Sequence, residues 1–267
     1  MKETIATISN MAVSKINLLN SSKARYFTVT MMAGFFVGLG VVLIYTIGGM
    51  LGPSGFAGTK LVMGMAFGVA LSLVLMAGAD LFTSNNMIMT IGTLMKKTTG
   101  YDTFKVWTYS YFGNFVGSIV VAALFFYSGL ASGATADFIT TAASGKMNTP
   151  FMELFVRGIL CNILVCLAAW CSIKLKDETA KLIMIFWCLF AFITSGFEHS
   201  IANMTLLSIS LMVPHPETVS MVGLAANLVP VTIGNIIGGA LFIGAAYWYG
   251  DSSKSPVEQK HRASAKV

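Results

Sequence analysis

Charge is scarce in this chain. Asp, Glu, Lys and Arg together make up 10% of its 267 residues, against about a quarter in ordinary soluble domains. That scarcity argues against a water-soluble globular fold. Histidine numbers only three, too few inside apolar segments for a membrane anchor that holds two haems. The four cysteines (Cys161, Cys166, Cys171 and Cys188) form no Cys-x-x-Cys pair and no Cys/His cluster that would hold a metal. They read as small packing residues. There is no Gly-x4-Gly-Lys-Ser/Thr phosphate loop, so ATP-driven transport would need a separate partner. No nucleophile and base stand together, so no enzyme is read. Neither a metal nor a cofactor is expected. The N-terminus lacks the compact basic, apolar and small-residue pattern of a cleaved signal.

What the chain has instead is long apolar sequence, with 55% hydrophobic residues. Charge-free runs cover 27–59, 61–79, 106–136, 158–173, 182–197 and 218–250. A membrane-crossing helix needs about 20 apolar residues. The runs predict an all-α membrane protein of six spans, near 27–51, 61–95, 106–131, 154–173, 182–213 and 219–250. With the N-terminus in the cytoplasm, fourteen of the seventeen Lys and Arg residues fall inside. Lys60, Lys146 and Arg157 are the exceptions. This asymmetry predicts both termini in the cytoplasm. It also accounts for the net charge of +6 without nucleic acid as a partner.

The chain divides into three parts. Residues 1–25 place Ile5, Ile8, Ala12, Ile16 and Leu19 at helical spacing, which predicts an amphipathic helix along the inner membrane surface. Residues 26–250 form the six-span domain. The tail 251–267 is polar and basic and is expected to be disordered.

Two carboxylates interrupt the apolar runs. Asp80 lies in Met76-Ala-Gly-Ala-Asp-Leu-Phe-Thr-Ser-Asn85, and Glu198 in Thr194-Ser-Gly-Phe-Glu-His-Ser-Ile-Ala-Asn203. Each follows a glycine by two residues, and each sits in a span too long for one straight helix. A charge at membrane depth costs about 2.5 kcal/mol or more. The second and fifth spans are therefore expected to be broken, with irregular backbone lining a path for a polar solute. The third and sixth spans share Gly-Asn-x-x-Gly, at Gly113-Asn114 and Gly234-Asn235, 121 residues apart. The two acids are 118 residues apart. Three spans per half would insert in opposite senses, so the pattern predicts an inverted 3+3 repeat, similar in kind to an aquaporin. No Asn-Pro-Ala stands at either break.

Several residues have two readings. Asp80 and Glu198 would either cap the half-helix that follows or meet the solute. Asn114 and Asn235 would either satisfy backbone freed by the breaks, their glycines allowing close helix packing, or line a pore. His199 is the one histidine inside a predicted span. It would offer a proton or hydrogen bond to a passing anion, or tie down the loop as a neutral ring. Leu81 and Phe82 would close a path against water while Thr83 passes a polar solute. Asn162 lies one turn past Gly158. Lys146 would draw anions to the outer side, or remain a solvated loop lysine.

Taken together, Gly78-Ala-Asp-Leu-Phe-Thr-Ser84, Tyr111-Phe-Gly-Asn114, Cys161-Asn162-Ile-Leu-Val-Cys-Leu-Ala-Ala-Trp170 and Gly196-Phe-Glu-His-Ser-Ile-Ala-Asn-Met204 resemble the formate/nitrite transporter family. The resemblance runs from about residue 20 to 250, and the short loops and closing Ala246-Tyr-Trp-Tyr249 look most like its nitrite-channel branch. It implies a bacterial inner-membrane protein forming a ring of five, each protomer with its own pore. It also implies passage of small monovalent anions such as nitrite, formate or hydrosulfide. By motif, Leu81, Phe82 and Thr83 match the first broken loop and Phe192 the inner constriction. His199 matches the central histidine with Asn162 and Asn203 near it, and Lys146 the outer-side lysine. A neutral-solute pore for water, ammonia or hydrogen sulfide is the alternative.

Overall fold

Ser22 ends the first helix and starts the second. Its hydroxyl accepts from the Arg25 amide, so α1 (Lys2–Ser21) turns directly into α2 (Lys23–Leu51). The chain returns as α3 (Thr59–Ala66) and α4 (Gly68–Met76), nearly continuous through Phe67. It breaks, then resumes as α5 (Phe82–Leu94). A reciprocal capping box between Thr99 and Asp102 starts α6 (Gly100–Tyr127). Next come α7 (Gly133–Met147), α8 (Phe151–Lys174) and α9 (Glu178–Ser195), which Asp177 caps. After a second break, α10 (Ser200–Met212) leads to α11 (Met221–Ile237), a π-helical stretch Gly238–Ala245 and α12 (Ala246–Asp251). This computed structural model describes residues 1–251, and every regular element among them is helical. The expectation of a disordered tail concerns residues outside the described ones, apart from Asp251.

Six helical segments are long and apolar enough to cross a membrane: Lys23–Ser54, Thr59–Met76, Gly100–Tyr127, Phe151–Lys174, Glu178–Ser195 and Met221–Asp251. The second and fifth are each followed by a shorter half-helix, α5 and α10, so the two expected breaks are present. The third span starts earlier than its apolar run, because the capping box adds a polar first turn. Exposed Leu39, Leu43, Ile119, Val120, Val229 and Ile233 give the outer faces an apolar surface suited to lipid.

Two segments differ from the sequence reading. The stripe Ile5, Ile8, Ala12, Ile16 and Leu19 is buried in a cluster with Met87, Ile88, Ile91 and Val106, so α1 turns its apolar face to protein rather than to lipid. Lys97 and Lys105 donate to Asn10 and Asn20 and hold it there. The segment before span four is a helix, α7, rather than a loop. Its Thr-rich sequence carries only a weak apolar period, which hid it.

The glycines of the two Gly-Asn-x-x-Gly motifs lie where helices cross most closely. A Cβ on Gly117 would lie 1.9 Å from Met31 O of α2, and one on Gly238 2.4 Å from Ile159 O of α8. Only hydrogen fits against those carbonyls. Gly117→Ala or Gly238→Ala must push a helix aside, costing about 1–3 kcal/mol. We expect the thermal midpoint of the detergent-solubilised protein to fall by about 5 °C, with Ile119→Ala on the outer face as an unaffected control.

Candidate functional site

The two breaks are built alike. Gly78 and Gly196 both adopt positive φ, 78° and 80°, conformations that favour glycine. One residue later, Ala79 and Phe197 donate their amides to Val74 O and Phe192 O, closing the preceding helix with the same turn. Asp80 and Glu198 then donate their backbone amides to Val29 O of α2 and Arg157 O of α8. Each break is thus stitched to the first helix of its own half.

Asn114 and Asn235 complete the stitching. Asn114 Oδ1 accepts from the Phe82 amide at 2.9 Å, and its Nδ2 donates to Asp80 O and Thr30 O. Asn235 Oδ1 accepts from the Ser200 amide at 2.9 Å, and its Nδ2 donates to Glu198 O and Gly158 O. Each carboxamide therefore holds the first amide of a half-helix, the carbonyl before it and a neighbouring span. Both side chains are buried and line neither of the two cavities that meet at His199.

The carboxylates themselves do not cap. No backbone amide of α5 or α10 donates to either of them, because the asparagines already hold the first amide of each half-helix. Asp80 instead accepts from Lys15 Nζ of α1 at 2.6 Å, from Tyr26 and from Asn85. Glu198 accepts from Lys146 Nζ of α7 at 2.6 and 2.7 Å and from Asn203 Nδ2 at 2.7 Å. In each half an acid, a lysine from a short helix and an asparagine five residues on form one cluster. Lys146 is thus an ion-paired residue of a helix and not a solvated loop lysine. Asn227 joins the second cluster by accepting from Asn203 and donating to Lys146 O.

His199 stands where the halves meet. Its Nδ1 accepts from the Ala202 amide at 3.1 Å, which caps α10. A neutral ring with Nδ1 so engaged carries its proton on Nε2. Nε2 lies 3.0 Å from Thr83 Oγ1, the second residue of the opposing half-helix, and donates to it. The N-termini of α5 and α10, each with a positive partial charge, therefore converge on one histidine–threonine pair.

Three cavities share walls in sequence, and His199 lines the second and third of them. A vestibule of about 490 Å³ is lined by Tyr45, Phe56, Lys60, Met63 and Phe138. Tyr45 is also part of the wall of a second cavity, of about 40 Å³, with Lys146, Phe192, His199, Asn203 and Leu206. Phe192 and His199 in turn line a third, of about 10 Å³, whose other walls include Val37, Phe67, Leu71, Leu81 and Val165. The last has room for a single water at most and is apolar apart from His199. The sequence-selected residues thus separate. Leu81, Phe192, His199, Asn203 and Lys146 face cavities. Phe82 instead packs edge-on against Tyr111, with centroids 5.1 Å apart. Asn162 is a strut, its Nδ2 donating to Thr83 O, Asn86 Oδ1 and Asn235 O. Phe192 is a partition between two cavities. It lies fourteen residues beyond the start of α9, about 20 Å along the helix, and meets Phe67 edge-on at 5.7 Å.

Comparison with known proteins decides what this arrangement is. The family described as formate/nitrite transporter matches residues 2–249. The chain belongs to the formate/nitrite transporter family. It is 39% identical to the nitrite transporter NirC of Escherichia coli (strain K12) over 97% of this chain and 96% of that one. A solved FNT family ion channel superposes with a TM-score of 0.89 at 38% identity, covering 94% of this chain and 99% of the other. A pentameric formate channel with formate bound gives 0.73 at 30% identity, covering 85% and 97%.

As a formate/nitrite transporter family member, the chain carries site residues that a search for chemical motifs passes over. Tyr45 and Phe67 are single aromatics in apolar runs, with no local signal. Asn85 was readable, because Asp80–Asn85 repeats the spacing of Glu198–Asn203, whereas Lys15 lies far from Asp80 in sequence. Removing one member of a buried ion pair strands the other. Lys146→Met should therefore destabilise the folded protein by up to about 3 kcal/mol, while the double variant Lys146→Met with Glu198→Gln should recover at least half of that. Denaturation of the solubilised protein in a double-mutant cycle measures it.

Proposed function

We propose that the protein carries small monovalent anions, nitrite foremost, through a pore within each protomer of a homopentamer. Its setting in this reading is the bacterial inner membrane, with both termini in the cytoplasm. The observation that carries the reading is His199, which lines both the polar cavity and the apolar one and whose Nε2 lies 3.0 Å from Thr83 Oγ1. Identity supports nitrite, at 39% over 97% of this chain with the nitrite transporter against 35% over 85% with the formate channel FocA of Escherichia coli (strain K12). The pentamer rests on the solved pentameric formate channel described above.

The mechanism follows from the cavities. An anion in the polar cavity replaces Thr83 Oγ1 as the acceptor of the His199 Nε2 hydrogen bond and is held there by the positive ends of α5 and α10. Lys146 is largely neutralised by Glu198, so it does not trap the anion. The next cavity offers no polar partner besides His199, and a bare charge pays heavily to enter it. Nitrite, formate and hydrosulfide are conjugate bases of weak acids, so a proton converts each to a neutral molecule that crosses an apolar space cheaply. His199 supplies that proton from Nε2 after it takes one from water at Nδ1, which first requires release of the Ala202 amide. Proton transfer is thereby tied to a loosening of the first turn of α10.

Proteoliposomes test this. Nitrite flux should exceed formate and hydrosulfide flux, chloride should not pass, and flux should rise at acid pH. His199→Asn keeps a donor but cannot relay a proton, so it should cut flux at least tenfold and flatten the pH dependence while the oligomer stays intact. An unchanged pH dependence would remove His199 as the proton donor. Flux without competition among the anions would favour a neutral-solute pore.

A further inference from the structure

Lys60 is the one charged side chain lining the vestibule, and no acid lines it. It differs from the other cations on its side of the molecule. Lys146 is paired to Glu198 and Arg157 to Glu153. Among the described residues Lys60 has neither a salt bridge nor a hydrogen bond. Its position is nonetheless defined. A Cβ on Gly196 would lie 2.8 Å from Lys60 Nζ, so the ammonium stands over the C-terminal end of α9. The carbonyls there carry a negative partial charge that attracts a cation without neutralising it. The ammonium is held at the threshold of the second break, exposed to the vestibule and uncompensated.

We propose that Lys60 is the capture residue for anions arriving from the vestibule side. This rests on the anion-transport reading above and adds a specificity-determining residue to it. The vestibule leads by way of Tyr45 to the cavity that holds Lys146, Asn203 and His199. One unpaired positive charge there raises the local concentration of any small anion and repels cations. In the other half Lys15 at the break is ion-paired with Asp80, so it is no counterpart of Lys60.

The test uses the full-length protein in vesicles with the Lys60 face outward, and nitrite uptake measured against external nitrite concentration. Lys60→Gln should raise the half-saturating concentration about threefold, the factor that one unit charge a few ångströms away produces in water. Maximal flux should stay unchanged. Lys60→Glu should raise it further and Lys60→Arg should restore it. Raising the ionic strength with an impermeant salt should erase the difference between wild type and Lys60→Gln. Equal half-saturation in wild type and Lys60→Gln overturns the proposal while leaving anion transport standing. So does a Lys60→Arg variant that behaves like Lys60→Gln, since charge would then not be the cause. A wild-type protein that carries no anion instead overturns the transport reading, and this inference with it.

Discussion

A helix that stops inside a membrane frees amides and carbonyls that no water can satisfy. Everything at the centre of this protein depends on how that demand is met. Asn114 and Asn235 meet it with one carboxamide each, bonding the first amide of a half-helix and two carbonyls. Because the first amides are satisfied by neutral side chains, the carboxylates and the threonine are left for other tasks, and His199 gives the backbone only its Nδ1, to the Ala202 amide. The glycines around each asparagine allow the close helix contact without which the carboxamide would not reach the neighbouring span.

The second constraint is electrostatic. Two carboxylates beside a path for anions would repel the solute. Here each is neutralised by a lysine from a helix outside the six spans, α1 in one half and α7 in the other. The clusters are close to neutral and therefore rigid structural elements more than charged filters. What field remains along the path comes from the helix ends at the two breaks and from the ammonium of Lys60. In the mechanism proposed above, the apolar partition of Phe67, Phe192 and Leu81 favours a solute that sheds its charge.

Much of this was legible in the chain. The six spans follow from charge-free runs, and the breaks from Asp80 and Glu198 standing inside apolar sequence. Asn114 and Asn235 were visible through their repeated motif, and His199 through its isolation at membrane depth. What local pattern could not supply was direction. Leu81, Phe82 and Thr83 are neighbours in sequence, yet one lines a cavity, one packs on Tyr111 and one meets His199. That division is set by the turn after Gly78, where the backbone leaves helical geometry and periodicity no longer applies. Asn162 looked like a path residue because it lies beside the centre, but its donors are spent on α5 and α11. Helix α7 escaped because a Thr-rich segment has little apolar period, and with it went the packing partner that makes Lys146 a buried-cluster residue.

The order of charges along the chain has its own consequence. Lys15 precedes Asp80, and Lys146 precedes Glu198. A ribosome therefore delivers each cation to the membrane before the acid it will neutralise. At the moment a carboxylate-bearing segment leaves water, its counter-ion is already made, borne by α1 in one half and by α7 in the other. Neither acid has to wait, bare, for a later part of the protein. The chain resolves in time, during its own synthesis, a conflict that the finished structure shows only in space.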